Sequence, residues 1–179
     1  AGASLVSFIW RHRVADIVAR EAAPLGLLFS LLAIITGALW GKVTWGVFWD
    51  WDPRLTSVLV LVLLYLGYMA MWQLIDNEWT AARAAGLLAM LGAVNLPIIK
   101  FSVDWWDSLH QQATVIRQDG PRMPASMLVP LLVMATGYML LTAFVTLLRS
   151  HTALASRRRD TASIQQPSTA VLEEAPTAP

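Results

Sequence analysis

Four charge-free apolar runs, Ala22–Gly41, Leu55–Ile75, Ala84–Ile99 and Met123–Leu148, leave all the charge to the short segments between them and to the two ends of the chain. About 20 helical residues, rising roughly 1.5 Å each, cross a hydrocarbon core of about 30 Å, so each run predicts a membrane span. The third run is the shortest. Taking in Ala81 and Ala82, with Arg83 snorkelling to the interface, brings it to spanning length. The stretch Ala1–Trp10 is apolar but too short to span, and it shows neither an initiator Met nor a signal-peptide pattern. It is expected to be the end of an earlier span in a longer natural chain. The pattern predicts an all-α, polytopic integral membrane helical bundle with four complete spans, the end of an earlier one, and a short interfacial helix described below.

Two features of the third span bear on packing. Ala82, Gly86, Ala89, Gly92 and Ala93 recur at helical spacing and allow a neighbouring helix to approach closely. Pro97 lacks an N–H and is expected to end or kink the helix at the membrane face.

Composition agrees with the pattern, since the 179-residue chain is 56% hydrophobic and only 14% charged, which excludes an ordinary soluble domain. The chain has no cysteine, which excludes disulfides, thiolate metal ligands and a Cys-x-x-Cys-His haem-attachment site in this polypeptide. Basic residues set the orientation: Arg11, Arg13 and Arg20 precede the first complete span, and Arg149 with Arg157, Arg158 and Arg159 follows the last. That side is expected to be cytoplasmic. The connections 40–56 and 100–122 then face the periplasm, where Lys42, Arg54, Lys100, Arg117 and Arg122 run against the bias and read as partly functional. Residues 1–155 form one membrane domain. Residues 156–179, rich in Thr, Ser, Gln, Pro, Ala and Glu, are expected to be a disordered cytoplasmic tail.

Of nine tryptophans, Trp40, Trp45, Trp49 and Trp51 fall in one connection, together with Phe48 and two glycines. Interfacial belts account for Trp10, Trp72 and Trp79. They need one or two tryptophans per helix end, fewer than this loop holds, so the loop suits a flat apolar ligand. Asp52 before Pro53 has the form of an N-cap followed by proline in the first helical position. Arg54, in the first turn, opposes the helix dipole and calls for an anionic partner, either a ligand carboxylate such as a haem propionate or Asp52 itself. Lys42 either shares that duty or anchors the helix end.

The second periplasmic connection carries His110. Read as a short interfacial helix over 101–117, it places Trp106, His110, Ala113 and Arg117 on one face. An imidazole there can ligate haem iron, with Asp107 orienting its other ring nitrogen. His12 and His151 fall on the cytoplasmic side, leaving His110 to face the tryptophan loop.

Together, Trp40-Gly-Lys, Trp45-Gly, Trp49, Trp51-Asp52-Pro53-Arg54-Leu55-Thr56, Val94-Asn95-Leu96-Pro97-Ile98-Ile99 and Asp104-Trp105-Trp106-Asp107-Ser108-Leu109-His110-Gln111 closely resemble the CcmC family, the haem exporter protein C of cytochrome c maturation. The resemblance covers roughly residues 1–155. It implies a six-span protein of the bacterial inner membrane that holds haem b transiently on its periplasmic face. It further implies delivery to the haem chaperone CcmE, alongside the CcmA–CcmB ABC transporter and the small protein CcmD, without enzymatic activity and without a nucleic-acid partner. His110 is then one axial ligand, and the family's other axial histidine lies before Ala1. Trp45, Phe48, Trp49 and Trp51 form the porphyrin platform, Arg54 and Lys42 meet the propionates, and Trp106 and Asp52 support the site. Phe48 stands where the family often has Trp, which keeps the flat contact and loses an indole hydrogen bond.

Two other classes remain open to the residues alone. A haem lyase of the cytochrome c synthetase type shares the tryptophan loop, but such chains are longer and carry more histidines. A structural or transport subunit without haem would use the tryptophans as a belt only.

Overall fold

The structure is a computed structural model that describes residues 13–115 and 120–165, and over these the chain forms four helices and no strand. They are α1 (Arg13–Trp45), α2 (Pro53–Leu74), α3 (Glu78–Trp105) and α4 (Ala125–Gln165). Each contains a segment long and apolar enough to cross a membrane. The expected all-α, multi-pass membrane bundle is therefore observed. The expected earlier span at Ala1–Trp10, Arg117, and residues 166–179 of the tail lie outside the described residues. Helix α4 continues past residue 156, where the tail was expected to begin, to Gln165.

The helices outrun the charge-free runs because their ends can carry charge at the interface: α1 takes in Asp16, Arg20 and Glu21 before its apolar stretch. Of the two outcomes expected at Pro97, an end or a kink, the end does not occur: α3 runs on to Trp105 with Pro97 inside it. Pro24 and Pro130 likewise lie within α1 and α4. Losing one N–H donor is tolerated where neighbouring helices and the remaining turns hold the backbone.

Helices α2 and α3 form the closest pair. Their connection is tight because Ile75 closes α2 and Asn77 caps α3, its side chain accepting from the N–H groups of Trp79 (3.0 Å) and Thr80 (3.2 Å). The α3 face toward this seam buries Ala81, Ala85, Gly92, Asn95 and Ser102, which recur at helical spacing. The seam is thus centred one residue from the expected stripe: Gly86 and Gly92 are buried, while Ala82, Ala89 and Ala93 are half-buried. Small residues are what permit the approach, since a Cβ at Gly67 would lie 3.3 Å from Leu88 Cδ1. Asn95 Nδ2 donates to the Ser57 carbonyl at 2.8 Å, pinning the register of the two helices inside the apolar seam.

Helix α1 packs on α2, and α4 on α1. A Cβ at Gly26 would overlap the end of the Tyr65 ring, so with glycine there α1 accommodates the Tyr65 side chain of α2 as it stands. Much of α4 exposes Leu, Val, Met and Phe, the surface that lipid tails cover. At the end of the bundle holding the α2–α3 connection, Arg149 Nε donates to Glu21 at 2.8 Å, and Arg157 reaches Glu78 through two nitrogens at 2.6 and 3.2 Å. Arg83 lies 3.9 Å above the Trp79 ring, and Arg20 lies 5.2 Å above Trp72.

Candidate functional site

The other end of the bundle is organised by one carboxylate. Asp52 has extended backbone (φ −66°, ψ 140°) and caps α2, its Oδ1 accepting from the N–H groups of Arg54 (2.8 Å) and Leu55 (3.4 Å). Its Oδ2 accepts from the Ser108 hydroxyl and from the Leu109 N–H (2.9 Å). His110 Nδ1 lies 3.1 Å from Oδ1, though the two residues are 58 positions apart. The Asp52 side chain is 1% exposed and that of His110 18%, so this contact is largely shielded from water.

The chemistry of the pair follows from what each group can donate. Burial alone would raise the Asp52 pKa, but the hydrogen bonds from Ser108, Arg54 and Leu109 and the nearby His110 outweigh it and hold the carboxyl below its ordinary value. An ionised carboxylate only accepts, so the His110 proton sits on Nδ1 and the Nε2 lone pair is left for another partner. Burial lowers the His110 pKa, Asp52 opposes this and Arg54 adds to it; the net shift is downward. The ring is therefore neutral at pH 7, the state in which imidazole ligates metals.

The structure corrects three expectations around His110. Among the described residues the expected interfacial helix does not form: α3 stops at Trp105, Trp106 is its extended C-cap, and residues 106–115 contain no helix. The Leu109 and His110 N–H groups, which a helix would pair with carbonyls one turn back, go instead to Asp52 and to the Ser108 hydroxyl. The ring's hydrogen-bonding carboxylate is Asp52 and not Asp107. The aromatic beside His110 is Trp45, edge to face at 4.7 Å between centroids; Trp106 contacts Trp105 instead.

Trp45 is placed by the end of α1. Gly46 has φ 83°, a conformation glycine adopts freely, and it turns the chain back after the last helical residue. Lys42 Nζ donates to the Gly46 carbonyl at 2.8 Å and lies 5.2 Å over the Phe48 ring. Of its two expected roles, the helix end is the one this contact serves. Trp45 also contacts Trp40 (5.1 Å), and Trp49 pairs with Trp51 (5.7 Å), both edge to face. Phe48 and Trp51 are exposed, Trp51 to 74%.

An open cleft of about 540 Å³ lies at His110, with Trp40, Arg54, Lys100, Gln111 and Gln112 among its lining residues. Its volume falls in the usual range for small-molecule sites. One neutral imidazole and two cations, set beside tryptophan, fit a flat metal-bearing ligand with anionic groups on its edge. A metal held by this single imidazole brings its other ligands with it, as an iron porphyrin does. The sequence counted Trp40 in the ligand-binding loop and Lys100 among the partly functional cations but named neither as a site residue, and both line this cleft. The available signal was Lys100 standing against the charge bias, with Trp40 opening the tryptophan loop.

A family model described as haem exporter protein C matches residues 1–165. The haem exporter protein C of Bradyrhizobium diazoefficiens is 57% identical over 145 residues, 81% of this chain and 54% of that protein. That of Escherichia coli K12 is 43% identical over 149 residues (83% and 60%), and that of Paracoccus denitrificans 42% over 156 residues (87% and 65%). The chain thus spans between 54 and 65% of the length of these relatives.

Proposed function

The chain belongs to the haem exporter protein C family, and from that premise we propose that it holds haem b at the periplasmic membrane face and passes it to the haem chaperone CcmE. It works as a delivery component and not as an enzyme, in a complex with the CcmA–CcmB transporter and CcmD. The observation that carries the reading is His110: neutral, fixed through Nδ1 to Asp52, its Nε2 unclaimed by that contact, in a cleft with two cations.

In this reading His110 Nε2 ligates the iron from one side. Trp45, in contact with the imidazole, and Phe48, Trp49 and Trp51 of the same loop supply aromatic surface to the porphyrin. Arg54 and Lys100 meet the propionates, and Lys42 supports the loop from the α1 terminus. Trp106 belongs to the rim. An open cleft suits a carrier, because the cargo has to be held firmly enough to be captured and remain reachable by the protein that takes it. The tail lies in the cytoplasm, on the side of Arg149 and Arg157.

The test is haem loading of the chaperone in cells carrying the full-length protein. His110→Ala, at unchanged protein level, is expected to abolish most of the loading. Loading that persists at the wild-type level in that variant rules out the ligand role.

A further inference from the structure

We propose that Asp52 is the positioning residue for the haem ligand, a single buried carboxylate that fixes where His110 stands and which ring nitrogen faces the iron. The inference rests on the reading of His110 as a haem ligand and adds to it how that ligand is held. It also assigns Ser108 a part in the same arrangement.

The 106–115 connection has no helix to fix His110 in space. Asp52 does this through contacts with three parts of the chain: the α2 N–H groups of Arg54 and Leu55, the Ser108 and Leu109 donors, and the His110 ring. Ser108 completes the turn by accepting the His110 N–H at 3.1 Å while its own hydroxyl points to Asp52. The ligand is thereby tied to the first turn of a membrane helix, and Trp45 packs edge to face against the ring at 4.7 Å. Carboxylate partners of metal-bound histidines select the tautomer, restrict ring rotation and increase the ligand's electron donation. Increased donation stabilises the ferric form and lowers the reduction potential of the bound iron.

Helix capping has to be separated from ligand positioning, because Asp52 does both. Serine is about as good an N-cap as aspartate but too short to reach His110 from this position. Asp52→Ser therefore retains the cap and loses the ring contact. Asp52→Asn keeps an acceptor oxygen in place without the charge.

Haem is titrated into the purified full-length protein, and both its affinity and the reduction potential of the bound iron are measured for wild type, Asp52→Ser, Asp52→Asn and Ser108→Ala. Asp52→Ser is expected to weaken haem binding by about 10- to 100-fold and to move the potential positive. Asp52→Asn is expected to retain haem at a more positive potential, and Ser108→Ala to move both quantities in the same direction by less. Wild-type affinity and potential in Asp52→Ser, in a protein whose haem binding still depends on His110, overturn the positioning role alone. If His110→Ala binds haem as the wild type does, the ligand reading falls and this inference falls with it.

Discussion

The two ends of this bundle use charge in opposite ways. At one end a carboxylate that is 1% exposed gathers donors from α2 and from a loop more than fifty residues away. At the other, Arg157–Glu78 joins α4 to α3 through side chains 44% and 67% exposed, and Arg149–Glu21 joins α4 to α1 through an exposed arginine and a glutamate that is itself only partly exposed. Exposed pairs contribute about 0–1 kcal/mol each, since water and salt screen them and two long side chains lose freedom. A buried carboxylate is different, because each donor it satisfies would otherwise be stranded. The contrast explains why an irregular loop can hold a defined imidazole at the site end, while the opposite end is held mainly by helix packing.

The sharpest way to break the contrast is Asp52→Ala. Loss of the cap alone costs about 0.5–2 kcal/mol, and the Ser108, Leu109 and His110 donors lose their acceptor as well. Haem affinity is expected to fall by at least about 10-fold, with a lower unfolding midpoint in detergent. Unchanged haem titrations would show that the loop holds His110 without Asp52.

Next in size is the pH response of the site. Haem ligation needs neutral imidazole, and the His110 pKa lies below its ordinary value, with burial the first cause. An unperturbed histidine is half protonated near pH 6.5, so haem occupancy is expected to stay level as pH falls to about 6.5 and to decline only below it. Optical titration reads this directly; half-loss of His110-dependent binding above about pH 6.5 contradicts the shielding.

Between the two ends, Asn95→Ala removes the Nδ2 donor to the Ser57 carbonyl from the α2–α3 seam. A loss of about 0.6 kcal/mol and at most about 1.7 kcal/mol is expected, the average and the maximum measured for interhelical hydrogen bonds in a membrane protein, read as thermal stability in detergent with haem affinity little changed. The smallest effect belongs to Glu78→Gln, which breaks an exposed pair and should alter stability by no more than about 1 kcal/mol. A loss exceeding that for Asp52→Ala would reverse the comparison.

Much of this was legible in local sequence. The four spans follow from apolar length, and the start of α2 follows from Asp52 beside Pro53, whose geometry involves only neighbouring residues. The tryptophan loop and His110 could be assigned to one side by counting spans, and the structure brings Trp45 against the His110 ring. What could not be read was the competition for backbone donors after Trp105. The spacing of Trp106, His110 and Ala113 has a helical period, but the Leu109 N–H is taken by Asp52, a distant residue that local periodicity does not register. The same long-range contact explains why Asp107, near His110 in sequence, is not its ring partner. Pro97 shows the same limit: of the two outcomes local propensity allowed, an end or a kink, the end does not occur, because packing of α3 along α2 carries the helix on to Trp105.

In the proposed function, His110 is where this protein meets haem iron. The most direct measurement is the optical spectrum of the full-length protein purified from haem-replete membranes, beside that of His110→Ala at equal protein concentration. A Soret band is expected in the wild type and is lost or clearly shifted in the variant. Identical Soret bands in the two proteins would contradict it.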